Sequence, residues 1–245
     1  MQASPLFYDI SQNFMLTLVL LPGMDGTGDL FDPVISALGS NLKTIIIRYP
    51  FTLPLNYSEL ETFVREALPK NEPFIVLGES FSGPIAISIA ASPPSGLFAL
   101  ILCCSFARNP QPILRLMTPF LPFLPIKYIP TKLLSYFLLG KFATPLLCSL
   151  LSTSLSKVTH STLITRMRSV LKINVTNKLS KISIPVLYLC AAQDRTVPKS
   201  ASKLIAKLLP QTQITLLNAP HFLLQTNPKE AASVINSFIL KHKNF

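Results

Sequence analysis

The stretch that decides the fold runs from Ile75 to Gly83 and reads IVLGESFSG. A run of apolar, strand-forming residues ends at Gly78, and Ser80 follows two positions later, before a helical pattern begins. This order predicts a nucleophile elbow, a sharp turn between a strand and a helix that lifts a serine out of the sheet. The usual pattern is G-x-S-x-G, so Ser82 departs from it, but serine is small enough to fit the turn.

Strand patterns alternate with helix patterns on both sides of this turn. Apolar runs predict strands at residues 15–21, 44–48, 74–79, 98–104, 185–191 and 213–217, and those at 15–21, 44–48 and 185–191 are expected to be buried. Helices are predicted at residues 29–38, 58–68, 83–91, 199–209 and 228–242. The second of these helices opens on a Ser58-x-x-Glu61 capping box. The alternation predicts an α/β protein with a mostly parallel central sheet flanked by helices.

The alternation stops between residues 106 and 183. Prolines interrupt apolar segments there, and helices are predicted at residues 132–139, 144–152 and 159–171. We therefore predict a core domain of residues 1–105 and 184–245 with an inserted helical cap at residues 106–183. The Leu, Phe and Pro content of the cap favours an apolar lining for an acyl or lipid-like group. Burial of these side chains against the core is the simpler alternative.

The positive charge of the chain is concentrated in the predicted cap. The chain has 22 basic and 11 acidic residues, for a net charge of +11. Eleven of the basic residues, and no acid, lie between residues 106 and 185: Arg108, Arg115, Lys127, Lys132, Lys141, Lys157, Arg166, Arg168, Lys172, Lys178 and Lys181. Their field favours an anionic partner, which could be an acidic acyl-carrier protein, the phosphates of coenzyme A or an anionic membrane surface. A plain solvated basic face is the alternative.

Composition excludes several classes of protein. Apolar residues make up 49% and charged residues 13% of the chain, which predicts a folded protein rather than a disordered one. No nucleic-acid partner is expected, because no recognised nucleic-acid-binding module is present. The four cysteines lack metal-ligand spacing, and we expect neither a metal nor a cofactor. Buried, reduced thiols at Cys103, Cys104 and Cys190, with no visible signal peptide or membrane span, fit a cytoplasmic location.

A serine nucleophile needs a base and a group that orients the base. Asp194 follows the predicted strand at residues 185–191, and His221 follows the one at residues 213–217. Both therefore fall at the carboxyl ends of parallel strands, on the same edge as Ser80, where open α/β sheets bind ligands. The three residues are the predicted catalytic set.

Each of these residues also has a simpler interpretation. Ser80 alone could be an ordinary loop serine, and Asp194 could cap a helix or pair with Arg195. His160 and His242 are the other histidines, and their positions in the cap and in the last helix favour surface roles. Glu79 adjoins the serine, but its side chain is expected to point away from it.

Ester hydrolysis also needs hydrogen-bond donors for the developing oxyanion. One donor is normally the backbone N–H of the residue after the nucleophile, here Phe81. The second comes from the loop after an early strand, and the glycine-rich turn at residues 22–28 favours the N–H of Met24. Gly23, Asp25 and Phe222 adjoin these groups in sequence and are the candidate substrate-binding residues.

Four segments carry a resemblance to a known family: LPGMDGTG at residues 21–28, GESFSG at 78–83, QDRTVP at 193–198 and APHFLLQTNP at 219–228. Over almost its full length the chain resembles the α/β-hydrolase superfamily. Within that superfamily it is most similar to small bacterial carboxylesterases of the pimeloyl-carrier-protein methyl ester esterase type. The resemblance implies an α/β-hydrolase fold with a cap, a Ser80/Asp194/His221 triad and an acyl-enzyme. Pro22 stands where many relatives carry His.

The predicted function is hydrolysis of a carboxylic ester or thioester through an acyl-enzyme on Ser80, with an apolar acyl substrate. Two alternatives stay open: an acyltransferase that uses the same triad, and a non-catalytic binding protein on the same fold. Dehalogenase and epoxide hydrolase chemistry is disfavoured, because relatives of those types place Asp at the elbow.

Overall fold

The computed structural model describes residues 16–123 and 129–243, without the side chains of Asn41 and Met117. Six strands form one sheet: β1 (Thr17–Leu21), β2 (Lys43–Ile46), β3 (Phe74–Glu79), β4 (Leu97–Cys103), β5 (Val186–Ala191) and β6 (Gln213–Leu217). Their order is β2-β1-β3-β4-β5-β6, and every pairing is parallel. The predicted parallel α/β sheet is therefore confirmed; Met15, where the first predicted strand begins, lies outside the described residues.

Burial differs between the middle and the edges of the sheet. All residues of β1, β3 and β5 are buried, because helices cover both faces of a parallel sheet. The second strand predicted at residues 44–48 does occur, but the prediction that it is buried is wrong. β2 runs over Lys43–Ile46 and is partly exposed, because an edge strand has only one neighbour.

Ten α-helices occur in the described residues. They are α1 (Asp32–Leu38), α2 (Tyr57–Ala67), α3 (Gly83–Ala91), α4 (Thr131–Leu138), α5 (Pro145–Ser156), α6 (His160–Lys172), α7 (Thr176–Leu179), α8 (Lys199–Leu208), α9 (Leu223–Thr226) and α10 (Pro228–Lys243). Successive strand residues point to opposite faces of the sheet, so two apolar cores form. Val19 and Val76 pack with α2 and α3, whereas Leu18 and Leu77 pack with α1 and α10.

Between β4 and β5 the described chain has helices joined by loops, and its one β-bridge is antiparallel and pairs Arg108 with Asn174. This segment contains the four helices α4, α5, α6 and α7, together with two 3-10 helices at Pro112–Phe123 and Gly140–Phe142. We call residues 106–183 the cap. Its two ends meet beside the bridge, where the N–H of Val175 donates to the carbonyl of Ala107 at 2.8 Å. The domain limits themselves stay a prediction.

Local details differ from the sequence predictions. The capping box of α2 is formed by Asn56 and Glu59, not by Ser58 and Glu61: Asn56 Oδ1 accepts from the N–H of Glu59, and Glu59 Oε2 accepts from the N–H of Asn56. The same spacing fits both pairs, and the helix begins at the earlier one. The helix predicted at residues 29–38 is divided into a 3-10 turn and α1. Within the described residues, no helix combines the length and apolar character needed to cross a bilayer.

Candidate active site

The turn between β3 and α3 holds Ser80 in an unusual backbone conformation. Its φ of 47° lies in the left-handed region, which non-glycine residues rarely adopt. The chain folds back closely here: a Cβ on Gly78 would lie 2.8 Å from the Cβ of Ala86. A Cβ on Gly83 would lie 1.7 Å from Ser105 Oγ. The turn therefore requires glycine at positions 78 and 83, so Gly83 is needed one residue after the position that the G-x-S-x-G pattern gives to its second glycine.

Ser80, His221 and Asp194 are linked by two hydrogen bonds. Ser80 Oγ lies 2.8 Å from His221 Nε2, and His221 Nδ1 lies 2.8 Å from Asp194 Oδ2. The side chains of His221 and Asp194 are only 3% and 4% exposed. The three residues follow β3, β6 and β5, so the carboxyl edge of the sheet brings them together.

Asp194 is oriented by the backbone that follows it. Its Oδ1 accepts hydrogen bonds from the N–H groups of Thr196 and Val197, both at 2.8 Å. This leaves Oδ2 directed at the imidazole. Arg195, the alternative partner for Asp194, contacts α4 instead: its Nη1 donates to the carbonyl of Tyr136 at 3.0 Å. The surroundings of Asp194 therefore fix the carboxylate relative to His221.

The glycine-rich loop, residues 22–28, lies beside the elbow. Ser82 Oγ donates to the carbonyl of Pro22 and lies 2.6 Å from the hydroxyl of Tyr49. Ser82 and Pro22 are the two positions where the sequence departs from the pattern of its relatives, and they contact each other. Ser82 thus connects the elbow to the loop, a role that the sequence did not indicate.

The other candidate residues of the loop and elbow are held in place by their neighbours. The N–H of Thr27 donates to Asp25 Oδ2 at 2.9 Å, and the Thr27 hydroxyl donates to the same oxygen. The ring of Phe81 is buried and stacks on the ring of Tyr57, with centroids 4.7 Å apart. Met24 is partly buried against the core. The backbone N–H groups of Met24 and Phe81 therefore belong to fixed segments of chain.

Arg166 is a part of the site that sequence reasoning missed. It lies on α6 in the cap, yet it is only 1% exposed. Its Nη1 donates to the carbonyls of Met24 and Asp25, both at 2.9 Å, and its Nη2 donates to the carbonyl of Pro50 at 2.9 Å. The cap thus holds the glycine-rich loop through one guanidinium group. The available signal was its position on the apolar stripe of α6, three residues after Leu163.

Glu79 is buried beneath the glycine-rich loop and does not bond Ser80 or His221. Its Oε1 accepts a hydrogen bond from Gln225 Nε2 at 2.9 Å. Burial raises the pKa of the Glu79 carboxyl to about 7, and the hydrogen bond from Gln225 opposes that shift. The carboxyl is therefore a buried group beside the site with a pKa close to neutral pH.

The cap contacts the loops that carry Asp194 and His221. The N–H of Phe222 donates to the carbonyl of Leu138, the last residue of α4, at 3.0 Å. The guanidinium of Arg195 lies 4.3 Å from the centre of the Tyr136 ring. The ring of Phe222, a candidate substrate contact, is half-buried, with its centre 6.3 Å from that of His221. α4 is therefore the cap helix next to these two loops, which carry two of the predicted catalytic residues and are called the catalytic loops below.

One cysteine lies beside the triad. In the described part of the chain, the only group of metal-ligating side chains close enough to share an ion is Cys104, Asp194 and His221. The last two are already bonded to each other. Burial raises the pKa of the Cys104 thiol well above its usual range, so the thiol stays neutral. Because the thiolate is the nucleophilic form of cysteine, the neutral Cys104 thiol is not expected to act as a nucleophile in place of Ser80.

Comparisons with known proteins agree with the fold described above. Residues 18–234 match the alpha/beta hydrolase family. An enol-lactonase from Burkholderia xenovorans LB400 is similar in structure with a TM-score of 0.80 and 12% identity, over 93% of this chain and 92% of that one. A thermophilic esterase from Thermogutta terrifontis gives a TM-score of 0.78 and 16% identity, over 93% and 90%. These matches confirm the predicted fold.

A curated relative matches part of the chain more closely. The chloroplastic phytyl ester synthase 1 of Arabidopsis thaliana is 36% identical over 111 residues. That alignment covers 41% of this chain and 16% of the plant protein. The likeness is therefore one between a segment of this chain and a small part of a much longer protein.

Proposed function

This chain belongs to the alpha/beta hydrolase family of enzymes, and we propose that it is a serine hydrolase that cleaves a carboxylic ester or thioester. The observation that supports the proposal is the pair of 2.8 Å hydrogen bonds that link Ser80 through His221 to Asp194. At these distances imidazole can take the proton of the hydroxyl as the hydroxyl attacks. The proposed nucleophile is Ser80, the base is His221 and the orienting acid is Asp194.

The proposed reaction proceeds through an acyl-enzyme. Ser80 Oγ attacks the carbonyl carbon, and its proton passes to His221 Nε2. The carbonyl oxygen becomes an oxyanion, for which the backbone N–H groups of Phe81 and Met24 are the proposed donors. The intermediate then collapses, and the leaving alcohol or thiol takes the proton from His221. Water attacks the remaining ester with the same base and releases the acid.

Asp194 is proposed to hold the imidazole in its reactive tautomer. Because Oδ1 is engaged by two backbone N–H groups, Oδ2 accepts from Nδ1 of His221. Nε2 then carries a lone pair towards Ser80, as proton abstraction requires. The negative charge of Asp194 also stabilises the imidazolium that forms.

A fluorophosphonate probe tests the nucleophile directly, since it forms a covalent bond with an activated serine. The expected product is one adduct per chain, found by mass spectrometry on Ser80 and not on Ser82 in the same peptide. Ser80→Ala should abolish labelling, whereas Ser180→Ala, at an exposed serine, should leave it unchanged. Labelling that survives Ser80→Ala would contradict the proposal.

The proposed substrate carries an apolar acyl group. Gly23, Asp25 and Phe222 are proposed to contact it, and the apolar side chains of the cap favour a long chain over acetate. A series of p-nitrophenyl esters of increasing acyl length tests this, with acyl-coenzyme A as the thioester. Preference for long chains is expected; preference for acetate would contradict an apolar acyl site. The resemblance to pimeloyl-carrier-protein methyl ester esterases stays a prediction.

A second candidate function is acyl transfer to an alcohol. The observation that favours it is the 36% identity over 111 residues with a protein named as a phytyl ester synthase. In this version the acyl-enzyme on Ser80 is attacked by an alcohol instead of water, with His221 as the base in both cases. p-Nitrophenyl palmitate is incubated with and without phytol, and the products are analysed by mass spectrometry. Phytyl palmitate formed at the expense of free acid supports transfer, whereas free acid alone supports hydrolysis.

A further inference from the structure

Residues 113–146 of the cap carry most of the exposed apolar side chains of the described chain. Of fourteen large apolar side chains that are exposed, nine lie between residues 113 and 146. They are Ile113, Leu114, Leu116, Phe120, Phe123, Leu133, Tyr136, Phe137 and Leu146. We call these nine side chains the apolar cap set. A concentration of this kind on a protein surface is typical of an interaction site.

Helix α4 shows that the exposure is not incidental. Leu133, Tyr136 and Phe137 are 49%, 57% and 45% exposed, while Ser135 is buried and bonds Cys148 Sγ at 3.2 Å. Together with the exposed Lys132, the three apolar residues follow the i, i+1, i+4, i+5 spacing of one helix face. The helix therefore directs its apolar face outwards and a serine inwards.

Basic side chains are interleaved in the sequence with the residues of the apolar cap set. Arg115, Lys132 and Lys141 are exposed, and no acid occurs between residues 80 and 193. Elsewhere in the cap, Lys157 pairs with Asp29 at 2.5 Å. The three interleaved cations form no ion pair within the described residues, so their charge is available to an external partner.

Another cap lysine is also neutralised by the core. Lys178 lies 3.5 Å from Glu61. Arg166 is buried against carbonyls of the loop, and Lys127 lies outside the described residues. The exposed charge of the cap is thus smaller than its eleven basic residues suggest. Part of that charge belongs to basic residues that lie in the sequence among the residues of the apolar cap set.

We propose that the apolar cap set docks the protein on an anionic lipid bilayer. The apolar side chains enter the boundary between headgroups and acyl chains, and the interleaved Arg and Lys side chains contact lipid phosphates, as in amphipathic helices that lie on membranes. An acidic carrier protein would satisfy the charges. A lipid surface satisfies the charges and also covers residues as exposed as Leu116 at 76% and Phe123 at 84%, without needing a matching shape.

The docking surface adjoins the catalytic loops. The carbonyl of Leu138 accepts from the N–H of Phe222, and Tyr136 contacts Arg195 next to Asp194. A bilayer on this face would therefore present apolar substrates close to the site. That consequence rests on the proposed function, whereas the docking itself does not.

A single tryptophan reports the docking, because the natural sequence has none. Phe123→Trp is prepared in the full chain together with Ser80→Ala, so that no lipid is consumed. The probe is a vesicle of phosphatidylcholine with about a third phosphatidylglycerol. Its addition is expected to shift the tryptophan emission to shorter wavelength. Leu240→Trp, at a residue on α10 that is 65% exposed, is the matched control and should show no shift.

The contributions of apolar contact and charge are separated by further variants. In the Phe123→Trp background, Leu116→Ser with Phe120→Ser should weaken vesicle binding by about tenfold or more. Lys132→Gln with Lys141→Gln should weaken binding to anionic vesicles and reduce its dependence on salt. Leu240→Ser should leave both unchanged.

Several results would overturn the proposal. These are the absence of a vesicle-induced shift, an equal shift at positions 123 and 240, a shift that grows with protein concentration without vesicles, and a shift caused only by an acidic acyl-carrier protein. The third would indicate a second copy of this chain, and the fourth a protein partner. Because binding is measured without turnover, its failure is distinct from a failure of Ser80 to act as nucleophile.

Discussion

The edge of the sheet that carries the proposed catalytic residues, here called the catalytic edge, differs from the cap in which side chains it exposes. Strand β3 buries all six of its residues, and the polar groups beyond it are held by hydrogen bonds. In the cap a charged residue, Arg166, is buried, while Leu116 and Phe123 are largely exposed. The core therefore buries its apolar side chains within itself, whereas the cap buries a charged side chain against the core and leaves apolar side chains exposed.

The two regions are joined at the backbone of the glycine-rich loop and of the loop that carries His221. Arg166 binds the carbonyls of Met24 and Asp25, and the carbonyl of Leu138 binds the N–H of Phe222. The cap therefore fixes two loops that flank Ser80. Substitutions in each region, and at the contacts between them, should separate their contributions.

The largest effect is expected at the catalytic edge. Ser80→Ala should lower kcat by a factor on the order of 10⁴ or more, because no nucleophile remains. The free energy of unfolding should change by less than about 1 kcal/mol, since the side chain is small. Steady-state ester hydrolysis and urea unfolding measure the two quantities. Activity retained in pure Ser80→Ala protein would exclude this serine.

The contact between cap and core is tested by Arg166→Met. Three loop carbonyls lose a charged donor, so the free energy of unfolding should fall by about 3–5 kcal/mol. kcat should also fall, measured per folded molecule below the unfolding transition, because the glycine-rich loop loses its support. Arg168→Met, on the same helix at a partly exposed position, should have little effect on either quantity. An unchanged kcat in folded Arg166→Met would limit this arginine to a structural role.

Glu79 makes stability depend on pH in a defined direction. Its pKa rises from 4.5 to about 7 on folding, so below pH 4.5 the carboxyl is protonated in both states and costs nothing. Between pH 4.5 and pH 7 the carboxyl ionises in the unfolded state but stays protonated in the fold, so the fold progressively loses up to about 3 kcal/mol; above pH 7 both states are ionised and the loss grows no further. Glu79→Gln should remove this loss, so its stability advantage over the natural protein grows between pH 5 and pH 8. Parallel pH profiles for the two proteins would contradict the assignment.

A smaller effect is expected at Ser82, which connects elbow and loop within the core. Ser82→Ala removes the donor to the carbonyl of Pro22 and the partner of the Tyr49 hydroxyl. The free energy of unfolding should fall by about 1–2 kcal/mol, because both groups are buried. Ser180→Ala, at an exposed serine, is the control and should change it by less than about 0.5 kcal/mol. Equal stability of the two variants would show that Ser82 only fills space.

The sequence was sufficient for the sheet and for the residues gathered at its edge. Buried strands are continuous apolar runs, and predicted strand ends differ from the observed ones by no more than two residues in the described part of the chain. In a parallel sheet, residues that directly follow strands share an edge, so Ser80, Asp194 and His221 could be grouped before their distances were known.

The cap and its contacts could not be derived in the same way. The bond from Arg166 to Met24 spans 142 positions and that from Ser82 to Pro22 spans 60, and no local pattern specifies such partners. Counting Arg166 with the surface charge of the cap was wrong, because its guanidinium binds carbonyls in the interior. Helical periodicity in the sequence located α4 and α6, but it could not show which face of each helix contacts the core and which faces solvent.

The central claim, that Ser80 forms an acyl-enzyme at the catalytic edge, is tested most directly in the first turnover. Mixing the protein with an excess of a p-nitrophenyl ester should release a burst of about one p-nitrophenolate per chain whenever deacylation is slower than acylation. An acid quench should then show the acyl group on Ser80 by mass spectrometry. Continued turnover by folded protein with no acyl group on Ser80, even with acyl groups that slow deacylation, would contradict the account.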